Sequence, residues 1–540
     1  MEINCIPIQS GNEMVRDYIN GRENTAFYHY DFRKKEAFIH RLEDIQNREY
    51  PRKELANHIL TYMSRFPLTE NTYRSIEKLK REDSVVVISG QQAGLLTGPL
   101  YTIHKIISTI QLAIEKEKEL GVPVVPIFWI AGEDHDLHEV NHVYVLENEK
   151  VMKKSFRPTI FTEKKMVSKI NLEQEKLIEW VESVFESYGE TKYTNNVLQL
   201  LKNKINESET FTDFFAHIIH YFFEKYGLLM IDSAHPQLRQ IEEPYFAEIF
   251  EKSITITEKL LLRQKALSSK GYPTTIESDP SSIQLFYEHL DERVLLHYDA
   301  KNDMYIGKGV SFTKEEILKE IHTHPDKFSN NVVTRPIMQE MLFPTLAFIA
   351  GPGEMSYWAE LKDAFELFGM KIPPVVPRIN ITLLERNIES LMNEIGLSVE
   401  ETLIEGTMKK KSEFFQSLKS EELDMFIENK RKEMIDIYQS IVEEVNSFDR
   451  GLNGVVQKNL EFVTSQIDYL KKKVEDSIKL KNKVALQRFD RIQHSIKPLN
   501  SWQERVWNVF YYINKYGESI IHDLMMIPFE YNGHHYVVKL

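Results

Sequence analysis

Cysteine is nearly absent from this sequence, which has Cys5 as its single thiol among 540 residues. One thiol excludes an intramolecular disulfide, a cysteine-rich zinc site and a CxxC redox pair. Chains that fold without disulfides are typical of reducing compartments. We therefore expect a cytoplasmic protein.

Long apolar runs and a positive net charge are also lacking. The apolar stretch VPVVPIFWIAG (122–132) is far shorter than the roughly 20 residues that a transmembrane helix needs. The first residues lack the basic and apolar regions of a signal peptide. With 67 Lys and Arg against 81 Asp and Glu, the net charge is −14. This charge argues against nucleic acid or an anionic membrane as a partner.

Short apolar runs alternate with helical patterns over much of the chain. Ser84–Ser89 precedes a glycine loop, a helical pattern over 101–120 and a second apolar run at 122–130. This order predicts a βαβ unit whose parallel strands are buried on both faces. Similar runs recur at 226–232, 346–350 and 372–377. We predict an α/β fold with a Rossmann-like, doubly wound parallel-sheet core.

Changes in composition and in the spacing of apolar residues divide this predicted core into separate parts along the chain. Two polar segments interrupt it as inserted connective subdomains, and an α-helical coiled-coil domain follows it. We predict core parts at 1–139, 216–264 and 331–380, insertions at 140–215 and 265–330, a coiled coil at 381–500, and a C-terminal segment at 501–540 that packs on the core or on the coiled coil.

Apolar residues step by three and four through 434–455 and again, in a shifted register, through 456–474. Such heptad spacing is typical of a coiled coil. The registers meet at Asp449–Gly454, where two glycines cost about 1 kcal/mol each inside a helix. We favour an antiparallel helical hairpin broken there, with one long helix as the alternative. A homodimer formed through this arm is the expected assembly.

The first motif that could carry chemistry is SGQQAGLLTGPLYTIHK (89–105), between a predicted strand and a predicted helix. Its glycines allow close approach of a ligand to the backbone, and a helix N-terminus favours phosphate or carboxylate. The alternative is that the glycines only pack the helix on the sheet. The candidate substrate- or nucleotide-binding residues are Ser89, Gly90, Gln91, Gln92, Gly94, Thr97, Gly98, Tyr101 and His104.

The second motif, FWIAGEDHDLHEVNHVYV (128–145), directly follows the second predicted strand. Its density of carboxylates and histidines suits acid–base catalysis. The order of residues differs from HExxH, and we predict no metal site. A solvated, charged helix start is the alternative. The catalytic candidates are Glu133, Asp134, His135 and Asp136.

The third motif spans 329–365, where a predicted strand runs into a second glycine turn. Arginine is suited to bidentate binding of carboxylate or phosphate. A tight turn beside core aromatic residues is the alternative. The binding candidates are Asn331, Arg335, Gly351, Gly353, Glu354, Tyr357 and Trp358. A second nucleotide site, or equally a packed core, is predicted from Lys497, Trp502, Gln503 and Arg505.

These three motifs together resemble the BshC family, the cysteine ligases of bacillithiol biosynthesis, and the resemblance extends over essentially the whole chain. It implies a Rossmann-like core with connective insertions and a coiled-coil domain that is usually dimeric. It also implies an enzyme that adds L-cysteine to glucosaminyl-malate through an amide bond, the last step toward this low-molecular-weight thiol.

Amide formation from a free carboxylate is uphill in water, so the resemblance implies activation of a carboxyl group, for which ATP is the obvious source. We expect ATP or ADP to bind at the glycine turns. We expect Glu133, Asp134 or His135 to act as the base that deprotonates the sugar amine, and Arg335 to bind a carboxylate of the substrate. Two alternatives stay open. One is a non-catalytic, nucleotide-binding scaffold of the same pathway, and the other is a metal-dependent hydrolase of a small metabolite.

Because Cys5 lies outside every motif, we expect it to play no part as a nucleophile. The variant Cys5→Ser should form product at the rate of the unchanged protein in a purified assay. Complete loss of product formation by a folded Cys5→Ser protein would contradict this expectation.

Overall fold

The computed structural model of the chain describes residues 2–8, 10–22, 27–159 and 164–540. They form two compact units. The first comprises the residues up to Leu383 together with Gln503–Lys539, and the second comprises Leu384–Trp502 with Leu540. Within the described ranges, no helix is long and apolar enough to cross a membrane.

The N-terminal segment is mainly helical. Its elements are β1 (Glu2–Ile6), α1 (Glu13–Asn20), α2 (Lys35–Gln46), α3 (Arg52–Met63) and α4 (Glu70–Leu79). In α3, Leu55, Ile59 and Met63 are buried together because they stand four residues apart on one face. In α2, the buried Arg41 donates from Nε to the carbonyl oxygen of Thr345 at 2.8 Å, which holds this helix on the core.

The predicted βαβ unit is present as β2 (Val85–Gln91), α5 (Tyr101–Leu120) and β3 (Val124–Ile130). The two strands pair in parallel, from Val85 opposite Val124 to Gln91 opposite Ile130. Both are buried along almost their whole length, which explains their lack of polar alternation. Gly121 ends α5 in a left-handed conformation, with φ of 69°.

The first insertion combines a hairpin with helices before the chain returns to the core. Its strands β4 (His142–Glu147) and β5 (Lys150–Ser155) pair antiparallel, and β6 (Leu229–Asp232) then joins β3 in parallel. Thr210 and Asp213 form a capping box that starts the last of these helices. The elements are α6 (Leu137–Val140), β4 (His142–Glu147), β5 (Lys150–Ser155), α7 (Gln174–Tyr188), α8 (Thr194–Asn206), α9 (Phe211–Phe223) and β6 (Leu229–Asp232).

The second insertion carries its own antiparallel sheet, as its β-rich sequence predicts. The strand order in this sheet is β10 (Val310–Phe312), β9 (Met304–Gly307), β8 (Glu292–Asp299), β7 (Ser282–His289) and β11 (Phe328–Asn330). Two helices, α10 (Pro236–Glu251) and α11 (Ser253–Ser269), lead into this part of the chain, and α12 (Lys314–Thr323) lies within it.

The core sheet is completed by β12 (Thr345–Ala350) and β13 (Val375–Pro377). The same part of the chain contains α13 (Thr334–Leu342), α14 (Pro352–Trp358), α15 (Lys362–Glu366) and β14 (Asn380–Leu384). The parallel strand order is β13-β12-β2-β3-β6. The chain therefore runs outward through β2, β3 and β6 and then crosses to the other side of β2. The predicted doubly wound core is confirmed, and its switch point lies between β2 and β12.

The second unit is helical and contains the predicted hairpin. Helix α19 (Glu421–Phe448) is followed by Asp449, whose φ of −152° and ψ of 108° are extended, and α20 (Asn453–Lys481) begins four residues later. Tyr438 donates to Asn459 at 2.6 Å and Arg431 to Asp468 at 3.1 Å, so the two helices run antiparallel from the break. The helices are α16 (Arg386–Ile395), α17 (Val399–Glu405), α18 (Met408–Ser417), α19 (Glu421–Phe448), α20 (Asn453–Lys481) and α21 (Lys483–Ile496).

The C-terminal segment returns to the first unit. Its elements are α22 (Gln503–Val506), α23 (Val509–Tyr516), α24 (Ser519–Met525) and β15 (His535–Lys539). β15 lies between β1 and β14 in a three-stranded sheet. The Gln503 side chain accepts from the Leu383 N–H at 2.8 Å and donates to the Leu383 carbonyl at 2.9 Å. The point where the chain leaves the first unit is thereby fixed to the point where it returns.

Candidate functional site

A cavity of about 290 Å³ lies at the switch point, where β2 and β12 end. Ligands of open α/β sheets bind in such crevices, and their pockets range over about 300–1,000 Å³. We call this the switch-point cavity. The residues that line it are Gly90, Gln91, Gln92, Tyr101, Lys105, Asp134, Arg335, Gly351, Pro352, Gly353, Glu354, Tyr357, Arg378 and Arg505.

Lys105, one turn into α5, bridges the two sides of the cavity. Its Nζ donates to the Gly90 carbonyl at 2.7 Å and to Gln91 Oε1 at 3.1 Å, and it lies 2.5 Å from Glu354 Oε2. Burial lowers the pKa of Lys105, and the Glu354 carboxylate acts in the opposite direction. An ammonium group has three donors. All three are used here, so Lys105 joins β2 to the start of α14.

Arg378, directly after β13, is held by a buried carboxylate. Glu504 accepts from Arg378 at 2.8 and 2.5 Å, lies 3.0 Å from His104 Nδ1 and accepts from the Ile381 N–H at 3.2 Å. Burial acts to raise the pKa of Glu504, but Arg378 and His104 outweigh it and hold that pKa well below its usual value. The orientation of Arg378 at the cavity therefore depends on the C-terminal segment.

Arg335 reaches the cavity from α13. Its Nη2 donates to the Tyr357 hydroxyl at 2.6 Å. Its Nε is buried and has no acceptor among the residues that the structure describes. A buried donor without an acceptor is costly, so this nitrogen is suited to an anionic ligand.

Cationic side chains outnumber carboxylates around the cavity. Lys105, Arg335, Arg378 and Arg505 face Asp134 and Glu354. Arg505 is exposed, whereas Arg378 is buried. A concave site with an excess of positive charge concentrates small anions.

Asp134 is the member of the acidic motif that lines the cavity. Burial raises the pKa of Asp134, while Arg293 and Arg335 act to lower it. Arg293 Nη1 lies 3.6 Å from Asp134 Oδ1. The side chain is 32% exposed, so it can reach a ligand from the cavity wall.

The neighbours of Asp134 point elsewhere. Glu133 is 1% exposed, and its Oε2 lies 2.5 Å from Arg239 Nη2 in a buried ion pair. His135 lies 3.4 Å from Arg293, and burial lowers its pKa. Asp136 is exposed. Among the described residues that line the cavity, none of these three is present.

Two sequence profiles of one family together cover almost the whole chain. The "Bacillithiol biosynthesis BshC, N-terminal Rossmann-like domain" matches residues 1–379, and the "C-terminal coiled-coil domain" of the same family matches residues 381–540. The chain belongs to the BshC family. Relatives from Geobacillus sp. (strain WCH70) and Bacillus cereus (strain AH187) are 42% and 41% identical over 543 residues, with full coverage of both chains. Each relative is named "Putative cysteine ligase BshC".

In this BshC-family chain, the structure brings together part of the predicted binding set. Residues from all three motifs and from the C-terminal segment line one cavity. They are Gly90, Gln91, Gln92, Tyr101, Asp134, Arg335, Gly351, Gly353, Glu354, Tyr357 and Arg505. The described residues that line the cavity do not include the candidates Ser89, Gly94, Thr97, Gly98, His104, Asn331, Trp358 and Gln503.

The glycine loop of the first motif has two parts with different surroundings. Gly90 faces β3 so closely that a Cβ would lie 2.9 Å from the Trp129 carbonyl oxygen. Gly98 has a φ of 68°, which favours glycine. Asn508 donates to the carbonyls of Leu96 and Gly98 at 2.7 and 2.6 Å. The second part of the loop is therefore stabilised by the protein itself.

Asn331 and Trp358, two further candidates, have specific contacts within the protein. Asn331 accepts from the N–H groups of Val333 and Thr334 at 2.9 and 3.1 Å in the turn before α13. Trp358 is buried, with its ring centroid 4.6 Å from that of Phe348. Lys497 and Trp502 belong to the second unit, whereas Gln503 and Arg505 belong to the first. The second nucleotide site stays a prediction.

Several charged residues of the site are not predicted from the sequence. Lys105 is visible on the predicted helix, but nothing local assigns its role. Arg239, Arg293, Arg378 and Glu504 belong to segments far from the motifs they contact. No pattern in the sequence indicates these contacts. Among the described residues, no group of three His, Cys, Asp or Glu side chains is placed to hold a metal ion.

Glu504→Gln should reveal the importance of the buried pair. The variant leaves the Arg378 cation without its counter-charge, which should lower the free energy of unfolding by about 3 kcal/mol or more at pH 7. The pKa of Glu504 is lower in the folded protein than the unfolded value of about 4.3. The stabilisation that the Glu504 carboxylate provides is therefore complete above the unfolded pKa of about 4.3 and is lost as the pH falls toward the folded pKa.

Urea unfolding of both proteins at several pH values between 7 and 3 tests this expectation. The difference in unfolding free energy between the two proteins should become smaller below about pH 4, because only the unchanged protein loses the stabilisation that the Glu504 carboxylate provides. The matched control Glu77→Gln removes an exposed partner of Lys80 and should cost about 1 kcal/mol at most. An equal effect of both substitutions would contradict the role given to Glu504.

Proposed function

We propose that this chain is a cytoplasmic cysteine ligase of bacillithiol biosynthesis that joins the carboxyl group of L-cysteine to the amine of glucosaminyl-malate. The observation that carries the proposal is the switch-point cavity, where several cations and one accessible aspartate meet. Both proposed reactants carry carboxylates, which such a cavity attracts. The family membership and the printed names of the relatives support the same reaction.

A nucleotide would supply the activation of the cysteine carboxyl group that amide formation needs. The residues at the cavity fit an anion of this class in two respects. Arg335 Nε is a buried donor without an acceptor among the described residues. A Cβ added at Gly353 would meet nothing within 4 Å, so the turn after β12 leaves room for a ligand.

Asp134 is the base in this proposal. An amine attacks only as the free base, so a nearby carboxylate must accept its proton. Asp134 lines the cavity, whereas Glu133 is engaged by Arg239. Lys105 is not a competing nucleophile, because its ammonium already donates to Gly90 and Gln91 and pairs with Glu354.

Arg335 binds a carboxylate of glucosaminyl-malate in this proposal. Its guanidinium is held by Tyr357, and its Nε is buried without an acceptor among the described residues. We also propose that the protein is a homodimer formed through the second unit, where large apolar side chains such as Phe448 and Phe462 are exposed on α19 and α20.

Incubation of the pure protein with ATP, L-cysteine and glucosaminyl-malate tests the reaction. Mass spectrometry should detect the amide product together with a stoichiometric nucleotide product. AMP would indicate an acyl-adenylate and ADP an acyl-phosphate. Omission of ATP should abolish the product. Absence of product with all three reactants, under conditions where the protein is folded, would contradict the proposal.

Arg335→Ala should raise the KM for glucosaminyl-malate by about 10- to 100-fold, because a hydrogen bond to a charged group contributes about 1.5–3 kcal/mol. The KM for cysteine should change much less. Arg81→Ala removes an exposed arginine that pairs with Asp83 and is the matched control. An unchanged KM for glucosaminyl-malate in the Arg335 variant would exclude the proposed contact.

A further inference from the structure

Arg293 brings the second insertion to the proposed catalytic group. It lies on β8 of the antiparallel sheet and is 4% exposed. Its Nη1 lies 3.6 Å from Asp134 Oδ1 and 3.4 Å from His135 Nδ1. A strand of an inserted subdomain thus provides a buried cation beside the loop that follows β3.

The guanidinium group of Arg293 is fixed on its other sides. Its Nε donates to Ser329 Oγ at 2.9 Å, and its Nη2 donates to the Asn330 carbonyl. Its central carbon lies 3.9 Å from the centre of the Phe286 ring. These contacts leave Nη1 directed toward Asp134 and His135. Arg293 is therefore preorganised, and it does not need to change conformation to meet the carboxylate.

The charged and polar groups around Asp134 determine its protonation together. Arg293, Arg335 and Gln92 favour the carboxylate, and Glu133 opposes it. The effect of Glu133 is reduced by its ion pair with Arg239. Burial favours the neutral acid and raises the pKa of Asp134. The nearby cations act against this effect of burial and stabilise the carboxylate, which is the form that can act as a base.

We propose that Arg293 is a positioning residue for the ligase reaction, whose guanidinium group stabilises the Asp134 carboxylate and directs it into the switch-point cavity. The inference rests on the proposed function, because it assigns Asp134 as the base. It extends that function by making the second insertion a part of the site. Arg293 itself is not among the described residues that line the cavity, so it acts through Asp134.

The pH dependence of kcat/KM for glucosaminyl-malate measures this role. An opposite charge within about 4–6 Å lowers a carboxyl pKa by about 1–3 units. Arg293→Met should therefore move the acid limb of the profile to higher pH by about one unit or more. Arg293→Lys keeps the charge and should retain most of the original limb. Lys308→Met removes an exposed cation of the same insertion and should leave the profile unchanged.

A merely structural role would lower the rate equally at every pH, and that result would overturn the inference. It is distinguishable from failure of the proposed function, in which the unchanged protein forms no amide at any pH. If Asp134→Asn keeps full activity, the base assignment fails together with the role of Arg293, while the ligase reaction stands.

A second measurement needs no substrate and covers the case in which activity is absent. The difference in unfolding free energy between the unchanged protein and Asp134→Asn varies with pH as Asp134 titrates. The same difference in unfolding free energy is then measured between Arg293→Met and the double variant that carries Arg293→Met together with Asp134→Asn. The pH at the midpoint of this change in unfolding free energy should be higher in the Arg293→Met background. Coincident midpoints would overturn the inference.

Discussion

A charge that is buried in this protein needs a partner, and this constraint determines the chemistry of the cavity. Burial of an isolated ion costs several kcal/mol, so Lys105 is paired with Glu354 and Arg378 with Glu504. All three donors of Lys105 are used in its contacts, so it cannot bind a ligand without weakening them. Arg335 Nε, which has no acceptor among the described residues, and the exposed Arg505 are the donors best placed to receive one. The pairs give the cavity its shape, and the remaining donors give it affinity for anions.

The sequence predicts local features well and long-range pairs poorly. The strands β2 and β3 are predictable because a short apolar run without alternation is typical of a strand buried on both faces. The helical break near Asp449 is predictable because glycines and a register shift coincide there. Arg378 and Glu504 are 126 residues apart, and neither stands in a pattern that indicates the other. Their roles follow only from the folded arrangement.

Adjacent residues in the motifs also have different roles that composition does not separate. Glu133 and Asp134 are consecutive carboxylates, yet one pairs with Arg239 and the other lines the cavity. Gly90 lies at the cavity, whereas the Gly98 carbonyl is bound by Asn508, 410 residues away in the sequence. The direction of a side chain in a turn depends on the elements packed around that turn. A dense motif therefore locates a site more reliably than it identifies the group that acts there.

The position of the second unit in the chain has a consequence for the site. The chain leaves the first unit at Leu383 and returns at Gln503. Of the next two residues, Glu504 pairs with Arg378 and Arg505 lines the cavity. The entropic cost of closing a loop grows only slowly with its length, so a long insertion between fixed ends is tolerated. The hydrogen bonds between Gln503 and Leu383 fix those ends. The cationic side of the cavity is thus completed only when the chain beyond the helical unit has returned to the core.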